Sequence, residues 1–154
     1  KLKMESGKLR RNNRNKLLAS AAPSDGKWKV ESGKWKVESW GVTMVSEKSF
    51  AFAVRIVKLC QHLQNVKHEY VLSKQLIRSG TSIGANISEA QQGQSRADFV
   101  SKMSIALKET AETKYWLRLL QATDFLTEKE YLSVNSDCVE IEKMLTSIIK
   151  SAKQ

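Results

Sequence analysis

From Gln94 to Gln154 the chain holds neither glycine nor proline, while apolar residues return every three or four positions along that length. A stretch of this kind has no turn chemistry with which to fold back every few residues, so it must form long helices that each bury one stripe. One proline and seven glycines in 154 residues leave too few breakers for an all-β fold. No run approaches the roughly 18 uncharged apolar residues of a membrane span. With 41% apolar and 27% charged residues, the composition is that of one ordinary globular domain.

Four helices are predicted. Ser46 reads as the N-cap of the first, over 46–66, with Phe50, Ala53, Val54, Val57, Cys60 and Leu63 as its stripe. The second spans 69–92, with Leu72, Leu76, Ser79, Ile83, Ile87 and Ala90 inward and Gly93 at its end. Ser95 caps the third, 95–123, with Asp98 in the first turn and Phe99, Met103, Ala106, Thr110, Leu117 and Leu120 inward. Thr127 to Glu130 has the form of a capping box and opens the fourth, 127–152, carrying Tyr131, Val134, Cys138, Ile141, Leu145 and Ile148. Rods of about 30–40 Å joined by short links make an all-α, antiparallel, up-down-up-down four-helix bundle. Phe52, Ile56 and Leu59, with Ile105, Trp116 and Leu119, add a second apolar surface, which predicts a homo-oligomer.

Charge divides the chain. The net +10 splits into +7 over residues 1–43, from eleven Lys or Arg against four acids, and +3 over 44–154, from fifteen against twelve. The first part repeats Gly-Lys-Trp-Lys-Val-Glu-Ser at 26–32 and 33–39. It reads as a disordered or non-native extension ahead of a bundle at 44–154. Two other readings are available: period-two strands with Trp and Val on one face, or tryptophans stacking on bases between phosphate-neutralising lysines. The apolar run Leu17–Ala22 is shorter than a signal peptide needs.

The second helix holds the most unusual segment, Gln75 to Ala90. Gly80 and Gly84 would each cost about 1 kcal/mol relative to alanine inside a helix, so close approach of a neighbouring helix must compensate. Arg78, Ser82, Asn86 and Glu89 fall at spacings of four, four and three and line one side of the same helix. Glu109 and Glu112 lie between Ile105 and Trp116 on the third. The expectation is that Arg78 pairs with a third-helix carboxylate in the interior and that Asn86 hydrogen-bonds to a neighbouring helix.

Arg78, Ser79, Ser82, Ile83, Asn86, Ile87 and Glu89 spell R-S-x-x-S-I-x-x-N-I-x-E, and here the chain resembles the four-helix-bundle family named for 23S ribosomal RNA intervening sequences. The likeness runs on through Phe99, Ser104 to Leu107, Glu109 and Glu112 to Leu120, within 46–152, with Ala90 where a glycine is common. It implies an antiparallel four-helix bundle, often a ring-shaped homopentamer, and association with RNA or with RNA-handling proteins. It implies no enzymatic activity.

Catalytic and ligand chemistry finds little purchase. Gly80 to Ser88 lacks the closing Gly-Lys-Ser/Thr of a phosphate loop and comes after no strand. Asn86-Ile87-Ser88 is a glycosylation sequon inside a helix of an expected cytoplasmic protein. Cys60, His62 and His68 do not share a helical face, so no metal site is expected. Di-iron bundles need Glu-x-x-His pairs, and none exists. Glu128 with Glu130 and Glu140 with Glu142 read as capping and surface charge. Cys60 and Cys138 read as reduced core thiols. No catalytic residue, cofactor, small-molecule substrate or membrane is expected. Arg55, Lys58, Lys74, Arg96, Lys102, Lys108, Lys114 and Arg118 are the candidate nucleic-acid contacts, and ring symmetry would concentrate their charge. The leading reading is a homopentamer associated with RNA or acting as a scaffold; the rival is an adaptor that binds only protein.

Overall fold

A computed structural model describes residues 27–31, 34–38 and 40–154. Two antiparallel strands, β1 (Lys27–Glu31) and β2 (Lys34–Glu38), precede four helices, α1 (Trp40–Asn65), α2 (Leu72–Gln91), α3 (Arg96–Ala122) and α4 (Glu128–Lys153). The strands pair in register Trp28 with Val37 and Val30 with Trp35, so residues 27–31 and 34–38 of the repeat are extended. Residues 1–26 lie outside the described residues.

The helices form an all-α four-helix bundle in which α1 and α3 each pack against both α2 and α4. Contacts between distant residues show that neighbours run antiparallel: Ile56 meets Gly80 and Ser49 meets Gly84, Lys102 meets Glu89, Lys114 meets Glu142, and Lys48 meets Glu140 at 2.9 Å to close the ring.

The predicted caps of α3 and α4 form. Ser95 accepts from the Asp98 amide, and Thr127 and Glu130 complete the reciprocal capping box. After α3 the chain leaves through Asp124 at φ 62°, with the amides of Asp124 and Phe125 returning to the carbonyls of Gln121 and Leu120. Those two bonds make a Schellman turn with aspartate in the left-handed position usually held by glycine. Gly93 has no such conformation; a Cβ there would lie 3.0 Å from the Ala90 carbonyl oxygen, so close approach accounts for it.

Two expectations about α1 are corrected. It begins at Trp40, and Ser46 is inside it rather than at its cap. Val42 and Val45 are buried, so packing holds the first turns. Its buried row is Val42, Val45, Ser49, Phe52, Ile56, Cys60 and Leu63, whereas Phe50 is 72% exposed and Val54 also points outward. Cys60 and Leu63 of the expected stripe are buried, but ahead of them Phe52 and Ile56 take the inner place expected of Phe50 and Val54. On α2, α3 and α4 the buried sets follow the expected stripes, except that Leu72 and Tyr131 are only half-buried, with Ser73 buried beside Leu72, and Ile149 replaces Ile148 at the end of α4.

Candidate functional site

The Arg78–Glu89 stripe lies along the outer edge of the seam between α2 and α3. Arg78 is 71% exposed and faces Glu112 at 3.7 Å. The pairing with a third-helix carboxylate is therefore present, and its buried version is not. Glu112 also accepts from the Trp116 indole at 3.1 Å, and Tyr115 meets Trp116 edge to face with centroids 4.9 Å apart. Glu109 beside them is half-buried. Burial, and then the neighbouring charge of Glu112, push its carboxyl above the usual range, while Arg78 pulls it back.

The polar groups of α2 spend their donors on their own helix. Asn86 donates to the Ser82 carbonyl at 2.8 Å, not to a neighbouring helix as expected. Ser82 donates to the Arg78 carbonyl and Thr81 to that of Ile77, each at 2.7 Å. Glu89 pairs across the seam with Lys102. Chemically, the stripe links α2 to α3 by exposed ion pairs, each contributing at most about 1 kcal/mol.

Gly80 carries the close approach expected of it. A Cβ there would stand 2.9 Å from Ile56 Cγ2 and 3.0 Å from Cγ1. At Gly84 the nearest atom is Ser49 Oγ at 3.4 Å, an ordinary contact. The two glycines therefore differ: one is required by the α1–α2 packing and the other fits beside it.

Four of the eight candidate cations hold the bundle together. Arg55 bonds Asp137 and Ser133 on α4, Arg96 donates to the Ala152 carbonyl, Lys102 pairs with Glu89, and Lys114 reaches both oxygens of Glu142 at 2.8 and 3.0 Å. The bond to Glu142 raises the Lys114 pKa. Lys58, Lys74, Lys108 and Arg118 are exposed and make no ion pair among the described residues.

Sequence reading missed Glu69. Its carboxylate accepts the amides of Val71 at 2.8 Å and of Leu72 and Ser73 at 2.7 Å, so it caps α2 from outside. Burial pushes its pKa up, but the backbone donors outweigh that and hold it below the ordinary value. The one local signal is an acid just ahead of a helix start, which the sequence pattern places inside the helix. Cys60 donates to the Ser73 carbonyl nearby at 3.4 Å, and Cys138 to that of Thr110 at 3.6 Å. Burial first, and then Glu69 for Cys60 and Glu142 for Cys138, push both thiols up to about 12. His62 and His68 are exposed while Cys60 is buried, so those three do not come together.

The model of the 23S rRNA-intervening sequence protein family matches residues 43–147, most of the chain. The chain belongs to that family. The bundle is also similar to a crystal structure of a protein with unknown function from the S23 ribosomal protein family of Bacteroides thetaiotaomicron, with 57% identity and a TM-score of 0.71 over 71% of this chain and 98% of that one. No curated protein matches the chain. Among the described residues no helix is long and apolar enough to cross a membrane.

Proposed function

We propose that this family member works without catalysis, as a cytoplasmic homo-oligomer, pentameric as the resemblance implies, that serves as an RNA-associated scaffold. The observation that carries the reading is the outward row of α1. Phe50 is 72% exposed, and Val54, with half-buried Ala53 and Val57, continues the same face. A contiguous apolar row of this size on a small helical subunit usually marks a contact with another chain. The shifted groups favour a structural role, since Glu69 caps a helix and both buried thiols donate to backbone carbonyls. Free, buried thiols fit a reducing compartment.

Light scattering on the full chain tests the assembly. The expected mass is about five times 17.4 kDa; a single-subunit mass at micromolar concentration would overturn the reading. The rival, an adaptor without nucleic-acid contact, is favoured by the use of four candidate cations in intramolecular contacts. Titration with RNA at roughly 50 mM salt separates the two. Binding supports the RNA-associated scaffold, and its absence supports the adaptor.

A further inference from the structure

Between α3 and α4 lies a shallow groove of about 710 Å³ whose walls carry Lys108 on one side and Lys143 and Lys150 on the other. We propose that this groove binds the phosphodiester backbone of a nucleic acid, with those three lysines as its cations. The proposal deepens the RNA-associated reading above and rests on it.

Among the described residues the groove has a single carboxylate, Glu142, and Lys114 already neutralises it through both oxygens. The three remaining ammonium groups make no ion pair among the described residues, so they confer a net positive charge with no internal counter-ion. Lys143 and Lys150 are seven residues apart, two helical turns or about 10.5 Å, and Lys108 faces them from the antiparallel helix. Ser147 lies between the two lysines of α4 with an exposed hydroxyl that can donate to a phosphate oxygen.

The same lining argues for the backbone and against other partners. Among the described residues no aromatic side chain borders the groove, so it offers no stacking platform for bases and predicts sequence-tolerant contact. Its apolar floor is Leu107 and the small Ala111, which gives no deep pocket for an anchoring side chain of a docked peptide. Lys143 and Lys150 could not be assigned from sequence, because only the α3–α4 register brings them opposite Lys108.

The test is fluorescence anisotropy on the full chain with a labelled single-stranded RNA of about 20 nucleotides and a duplex of the same length, over roughly 50–200 mM salt. The triple variant Lys108→Gln, Lys143→Gln, Lys150→Gln is compared with a control of equal charge change at lysines that are not candidate contacts, Lys48→Gln, Lys67→Gln, Lys129→Gln, and circular dichroism verifies the helices of both. The groove variant is expected to lose at least about tenfold in affinity and to lower the salt slope by about 2, from three contacts at about 0.7 each on a single strand. The control should change far less. Equal losses in the two variants, or an unchanged slope in the groove variant, would overturn the groove while leaving the RNA-associated reading in place. Failure of the wild-type chain to bind either oligonucleotide at the lowest salt would overturn both. Binding of polyglutamate instead, lost in the groove variant, would reassign the groove to an acidic protein and sink the proposal.

Discussion

Gly80 and Gly84 sit one turn apart on α2, with the same helix-propensity cost and opposite packing consequences. An added methyl at Gly80 meets Ile56, a β-branched side chain with no exposure and no free rotamer to yield into. Overpacking of that kind costs about 1–3 kcal/mol, and the alanine gains back about 1 kcal/mol of helix propensity. Gly80→Ala should therefore lower stability by about 1 kcal/mol, whereas Gly84→Ala, in ordinary contact with Ser49, should raise it by up to about 1 kcal/mol. Urea denaturation of both variants checks this through opposite shifts of the midpoint at unchanged slope. Sequence alone identified the pair but not the difference, since that depends on which α1 side chain stands opposite each.

At the scale of the element, helix ends were legible where the signal is local. Ser95 and Thr127 each act on an amide three residues ahead, and both caps form. The start of α2 instead depends on Glu69, which reaches forward over a turn to three amides and is buried in doing so. Because its folded pKa lies below the unfolded value near 4.5, the stabilisation is present above that pH and is lost as pH falls through the folded pKa. Glu69→Gln should cost about 1–3 kcal/mol at neutral pH, as expected for loss of charge-assisted bonds to a helix start. It should also flatten the stability profile of the acid limb relative to wild type, which chemical denaturation from neutral pH down to about pH 3 would record. An acid limb identical in both proteins would contradict the capping role. The beginning of α1 was illegible for a related reason: its first residues, Trp40-Gly41-Val42-Thr43, include a glycine and two β-branched residues with weak helix propensity. Burial of Val42 and Val45 settles the matter. A chain starting at Ser46 should thus be less stable than one starting at Trp40 by about 3 kcal/mol, from about 1.5 kcal/mol or more for each buried valine, measurable as a lower thermal midpoint.

For the whole molecule, the four-helix count and antiparallel order were readable because periodicity and short links leave few alternatives. The orientation of α1 was not, because two apolar rows share that helix and periodicity cannot say which one faces the core. The structure turns Phe52 and Ile56 inward, where Ile56 fills the space opened by Gly80, and leaves Phe50 and Val54 outside. That outcome converts an ambiguity of sequence into a test of assembly. Phe50→Lys removes an exposed aromatic ring without disturbing the subunit core, so the helical signal and the core packing should persist. If the α1 face joins subunits, losing a central aromatic contact should cost about 2 kcal/mol or more per interface, roughly thirtyfold in association, and light scattering should show the mass falling towards that of one subunit. Leu132→Lys supplies the comparison, since Leu132 is also exposed but lies on α4. Loss of mass in the Phe50 variant alone places the contact on α1. Equal behaviour of the two variants would mean that the outward row of α1 is not the surface that holds subunits together.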